Sequence, residues 1–98
     1  LLEASPAWDG NWTSECFVNF AWTGRNGDRF MVTVNYAANQ AQCLVKLPFT
    51  GLAGRSVQLV DRMGPARYIR SGDELSSRGL YLDLPAWGYH VFEVKVAE

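Results

Sequence analysis

Alternating apolar stretches cut by turn residues predict an all-β chain, an antiparallel β-sandwich of Greek-key type with about six to eight short strands. Three observations carry the prediction. The closing segment GLYLDLPAWGYHVFEVKVAE holds two period-two stretches around a Pro-Ala-Trp-Gly break. Turn residues recur along the whole chain at spacings near ten residues, as sandwiches require. No segment places apolar residues at the i, i+3, i+4 and i+7 positions of an amphipathic helix, so helix is expected to be nearly absent.

The elements follow in order. Residues 1–15 carry Pro6, Asp9-Gly10-Asn11, Trp8 and Trp12 without sustained periodicity, and are read as an irregular arm or linker; residues 16–98 are read as the sandwich domain. In residues 16–23, Cys16, Val18, Phe20 and Trp22 alternate with Phe17, Asn19 and Ala21, and Trp22 is expected in the core. Gly24-Arg25-Asn26-Gly27-Asp28 is a hairpin loop. Residues 29–37 form the strongest strand signal. Phe30, Val32, Val34 and Tyr36 make its apolar face, and Met31, Thr33 and Asn35 a semi-polar face that is expected to be partly solvated.

After a turn at Ala38-Asn39-Gln40, Cys43, Val45 and Leu47 alternate inward. A loop over residues 48–54 leads to a strand with Val57, Leu59 and Asp61 on alternate sites. Met63-Gly64-Pro65 turns the chain into a weak strand at residues 67–70, and Ser71 to Leu75 reads as polar connection. In the closing pair, Leu80, Leu82 and Leu84 share one side and Tyr81 and Asp83 the other. Beyond the break, His90, Phe92, Val94 and Val96 alternate with Val91, Glu93 and Lys95.

Bulk properties narrow the function. The 98 residues make one domain and carry a net charge of −1. That balance lacks the cationic excess a nucleic-acid binder needs. No apolar run approaches the roughly 20 residues of a membrane-spanning helix, and no signal peptide is visible. The chain opens on Leu1 and is read as a processed or excised piece. Cys16 and Cys43 fall in expected strands and are read as buried free thiols rather than a bridge. With one histidine and no paired Cys spacing, no metal site is expected, and nothing calls for a cofactor.

Catalytic constellations are also missing. Asp73 and Glu74 are adjacent and diverge, whereas a glycosidase flanks one bond with two carboxylates about 5–10 Å apart. His90 lies within a strand with no local nucleophile or orienting acid, and is read as a packed residue. Asn11-Trp12-Thr13 fits the glycosylation sequon. Trp8, Trp12 and Trp87 are the candidate site residues, either stacking on sugar rings or docking on a neighbouring domain. Domain contact is favoured for Trp8 and Trp12, and Trp87 is read as a structural corner.

Several segments, in order, resemble one family. RGLYLDLPAWGYHVFEV (residues 78–94) is similar to the C-terminal end of alpha-amylase family enzymes, glycoside hydrolase family 13. FVNFAWTGRNGDRFMVTVNYAANQAQCLVKLPF (residues 17–49) resembles the opening of that family's C-terminal β-sandwich, and LVDRMGPARYIRSGDEL (residues 59–75) resembles a later strand, turn and loop. The resemblance implies a non-catalytic accessory domain that packs on and stabilises the catalytic (β/α)₈ barrel of the same parent chain. It implies no catalytic residue here, since the family's lie on the barrel. The alternative is a carbohydrate-binding module that stacks alpha-glucan oligosaccharides on exposed tryptophans.

Overall fold

The computed structural model, which describes residues 2–96, folds the chain into two antiparallel sheets facing one another across a single core. The strands are β1 (Ala4–Ser5), β2 (Phe17–Thr23), β3 (Arg29–Asn35), β4 (Ala41–Val45), β5 (Ser56–Asp61), β6 (Arg67–Ser71), β7 (Leu80–Leu84) and β8 (Tyr89–Val96). One sheet runs β1-β4-β7 and the other β2-β3-β8-β5-β6. The all-β antiparallel sandwich is therefore the architecture of this chain. Leu1, Ala97 and Glu98, which fall within the arm and the domain expected from sequence, lie outside the described residues.

Inward residues behave as the alternation expects over most of the chain. Cys43 and Val45 of β4, Leu80 and Leu82 of β7, Val57 and Leu59 of β5, and Phe92 and Val94 of β8 are all buried in one cluster. Leu47, Leu52 and Leu75, outside the strands, belong to the same cluster. Both cysteines are free; Cys43 is buried and Cys16 half-buried. Burial pushes the Cys43 thiol up to about 12, because the thiolate would lose its hydration there.

The β2–β3 hairpin departs from expectation: its two faces are reversed. Met31, Thr33 and Asn35 of β3 and Asn19 of β2 are buried, whereas Val18, Phe20 and Trp22 are exposed. Phe30, Val32 and Val34 are only half-buried, and Tyr36 is 72% exposed. The more polar face can point inward because several of its polar atoms are hydrogen-bonded there, although among the described residues Asn19 Nδ2 and Asn35 Oδ1 are buried without a partner. Thr33 donates to Asn19 Oδ1 at 2.5 Å, directly across the strand pair. The Asn35 amide donates toward the carbonyls of Asn39, Leu84 and Pro85, tying the end of β3 to both neighbouring turns. The Asn35 NH₂ group, so partnered, escapes the penalty of burying an unpaired donor.

Two connections also differ from the simplest reading. β7 and β8, joined by the tight Pro85–Gly88 turn, do not pair; β7 pairs with β4, and β8 with β3 and β5. The turn is a corner that carries the chain from one sheet to the other. The expected polar connection after β6 holds a short helix, α1 (Gly72–Ser77). Ser71 is its N-cap, accepting the Glu74 N–H, and Asp73 and Glu74 sit in its first turn, where carboxylates suit the helix dipole.

The arm is tied down rather than loose. β1 pairs with β4, Leu2 bridges to Asn19, and a 3₁₀ turn over Thr13–Cys16 leads into β2. Asn11 Nδ2 donates to Gln42 Oε1 at 2.9 Å, and the Gln42 N–H donates to Thr13 Oγ1 at 3.0 Å.

Candidate functional site

The reversal of the β2–β3 hairpin creates the most distinctive surface of the molecule. Side chains on one face of a strand lie beside their cross-strand partners, so the register shows which residues are neighbours. On the outer face of the larger sheet, Val18, Val34 and Tyr89 stand in one row and Phe20, Val32 and Val91 in the next. Trp22, Phe30 and Glu93 form the third row. Eight of those nine positions are apolar or aromatic, and the one acid, Glu93, forms an ion pair with Arg62. Trp22 stacks on Phe30 with ring centroids 5.3 Å apart, and Phe20 lies 6.4 Å from Trp22.

The Trp87 corner extends the same face. Tyr36 follows Val34 by two residues, and Trp87 precedes Tyr89 by two, so both continue the outward rows. Their rings meet edge to face at 5.5 Å. Trp87 is the one non-glycine residue with positive φ among the described residues, at 62°. That conformation is a genuine outlier for a bulky side chain. The Trp87 N–H donates to the Ala37 carbonyl, and the Gly88 N–H to Pro85, which together hold the corner. The ring itself stays 57% exposed.

Five aromatic side chains, Phe20, Trp22, Tyr36, Trp87 and Tyr89, thus leave large fractions of their surface in water. At roughly 200 Å² per ring residue they expose about 500 Å², the upper part of the range for the largest apolar patch on a monomer. The arrangement can do one thing well, which is to exclude water against a second apolar surface.

Of the tryptophans singled out from sequence, Trp87 joins this face and the other two do not. Trp8 and Trp12 are exposed in the arm. Their carbonyls accept turn hydrogen bonds from Asn11 and Glu15, and among the described residues neither ring stacks on another. The arm is fastened mainly to β4 of the smaller sheet, with Leu2 bridging to Asn19 on the inward face of β2. Trp22, expected in the core, is instead 43% exposed and belongs to the patch. The sequon residue Asn11 is half-buried, and its carbonyl oxygen accepts from both the backbone and the hydroxyl of Thr13.

The polar candidates resolve separately. His90 Nδ1 lies 2.7 Å from Asp61 Oδ2, with Asp61 buried. Burial pushes the Asp61 carboxyl up, but hydrogen bonds from His90 and the Met63 and Val91 N–H groups outweigh it. With the attraction of His90 added, the carboxyl sits below its ordinary value. The imidazole stacks on Phe92 at 4.8 Å and meets Tyr68 edge-on. Among the described residues no hydroxyl or thiol is hydrogen-bonded to His90, so this is an oriented histidine without a nucleophile. Asp73 and Glu74 are exposed in the first turn of α1, where Asp73 accepts the Gly54 N–H at 3.0 Å. Among the described residues no group of three His, Cys, Asp or Glu side chains is placed to hold a metal.

No protein-family model, no curated protein and no solved structure matches this chain.

Proposed function

We propose that this chain is a non-catalytic accessory β-sandwich from the C-terminal part of an alpha-amylase-like glycoside hydrolase or glucanotransferase. It packs on and stabilises the catalytic (β/α)₈ barrel of the same parent chain. The observation that carries the reading is the outward apolar face of β2, β3 and β8, from Trp22 at one end to Trp87 at the other. A domain whose work is to cover a neighbour needs such a face, and it needs no catalytic residues of its own. The ordered resemblance of residues 17–49, 59–75 and 78–94 supports a catalytic barrel as that neighbour. Removing about 500 Å² of aromatic surface from water gives a gross gain of about 12 kcal/mol before the costs of ordering the interface.

The coding region that precedes this chain tests the proposal. It is expected to encode a (β/α)₈ barrel with paired catalytic carboxylates; an adjoining region of another kind overturns it. One observation favours a second reading. Trp87 and Tyr36 are neighbouring exposed aromatic rings, packed edge to face, and an exposed aromatic of this kind can stack on a sugar, which fits a carbohydrate-binding module for alpha-glucan. Titration with maltooligosaccharides separates the two readings. Saturable change in tryptophan fluorescence, abolished by Trp87→Ala, supports sugar binding, and an unchanged spectrum at millimolar sugar removes it.

A further inference from the structure

At the end of the larger sheet opposite the Tyr36–Trp87 corner lies an open cleft of about 430 Å³. That volume is within the range of small-molecule sites, roughly 300–1,000 Å³. Gly27 from the β2–β3 loop, Thr50 and Gly51 from the β4–β5 loop, and Val94 and Val96 of β8 line it together with Arg29 and Arg55. The valines provide an apolar floor. Gly27 and Gly51, at φ of +82° and +78°, have open space where a Cβ would stand, so the backbone is accessible there.

The two arginines give the cleft its chemistry. Arg29 is half-buried and fixed at two points. Its Nη1 donates to the Thr50 carbonyl at 2.8 Å, and its guanidinium lies 5.4 Å from the centre of the Phe49 ring. One N–H is spent on Thr50, and a guanidinium has five, so donors remain for a ligand. Arg55 stands on the exposed loop that leads into β5. Among the described residues, neither guanidinium has a carboxylate within 4.0 Å; the ion pairs are Arg62 with Glu93 and His90 with Asp61. Asp28, next to Arg29 in sequence, and Asp73, which accepts the N–H of Gly54 beside Arg55, do not line the cleft.

We propose that this cleft binds a compact organic phosphate, with the phosphate between Arg29 and Arg55 and the organic body on Val94 and Val96. Two guanidiniums match the two charges of a phosphate monoester, and their planar forks suit its oxygens. A guanidinium held over an aromatic ring loses little freedom when the anion arrives, which favours binding. The site is separate from the outer apolar face, so it stands whether or not that face docks on a barrel.

Phenyl phosphate, titrated into the 98-residue chain and followed by amide NMR, is the test. Saturable shifts are expected at Gly27, Thr50, Gly51 and Val96. Arg29→Gln and Arg55→Gln are each expected to weaken binding about tenfold, the loss of one set of charged hydrogen bonds. Arg25→Gln, in the adjoining loop but outside the cleft, is expected to leave it unchanged. Inorganic phosphate should bind more weakly, lacking a body for the valine floor, and so should benzoate, with one charge. The proposal is overturned if no shift saturates by tens of millimolar ligand. It is equally overturned if Arg25→Gln weakens binding as much as Arg55→Gln, or if benzoate binds as tightly as phenyl phosphate. Arg55 holds the fold through its backbone, whose N–H donates to Leu52 and whose carbonyl accepts from Gly72. Among the described residues its side chain makes no hydrogen bond or ion pair, so Arg55→Gln leaves those contacts in place, and an unchanged amide spectrum without ligand checks that.

Discussion

Met31 and Val32 are sequence neighbours on opposite faces of β3, and truncating each to alanine tests the reversal of the hairpin. Met31 is fully buried, with Ala21 of β2 and Phe92 of β8 as its cross-strand partners. Met31→Ala removes core atoms and leaves a cavity that the paired strands on either side cannot fill, at a cost of about 2–5 kcal/mol. For a domain of this size that corresponds to a fall in Tm of about 10–30 °C. Val32 is half-buried, between Phe20 and Val91 on the outer face. Losing its two methyl groups, each already partly in water, costs less than about 1 kcal/mol. Urea unfolding of the two variants, followed by tryptophan fluorescence, measures both. A Val32→Ala loss equal to or greater than that of Met31→Ala refutes the assignment of faces.

Other perturbations test the remaining parts of the structure. A Cβ at Gly72 would stand 1.8 Å from the Leu52 carbonyl oxygen, so Gly72→Ala must push α1 away from the β4–β5 loop. Its cost should be at least about 2 kcal/mol by denaturation, and a neutral result refutes the close approach. Asn35→Ala abandons the carbonyls at both turns and should cost about 1–3 kcal/mol, with the Pro85–Gly88 amides losing hydrogen-exchange protection. Asp61 adds a pH dependence. Its folded carboxyl lies below the ordinary value of 3.8, so its stabilisation is fully present above that value and is lost as pH falls through the folded one. Asp61→Asn should therefore be less stable at neutral pH and lose less stability than the parent on acidification below 3.8. Equal acid sensitivity of the two proteins counts against the pair.

Period-two alternation made most of the sandwich legible. It placed Cys43, Val45, Leu80, Leu82, Val57, Leu59 and Phe92 inward because those strands have one clearly more apolar face, the other being broken by residues such as Gln42, Gln58, Asp83 and Glu93. It failed at β2 and β3, where both faces carry large apolar residues and the better-looking one points outward. Hydrophobicity alone favours burying Val18, Phe20 and Trp22. What offsets it is hydrogen bonding that the strand pattern does not show: Thr33 with Asn19 across the pair, and Asn35 with the carbonyls of Asn39 and of the sequence-distant Leu84 and Pro85. The helix α1 was hidden because it is under two turns long, too short for periodicity, although Ser71 and the acidic pair after it are a capping signal. Trp87 was visible as a turn residue, but its joining Tyr36 on one face depends on the chain crossing between sheets at that corner.

The docking role of the outer face is tested most directly by oxidative footprinting of the chain alone and of its parent protein. Phe20, Trp22, Tyr36, Trp87 and Tyr89 are the reporters, and Met63 and Ile69, exposed at the β5–β6 end of the domain, are the controls. Strong labelling of all seven in the isolated chain is expected, with the five reporters protected together in the parent and the controls still labelled. Reporters that remain fully labelled in the parent would contradict the claim that this face is covered.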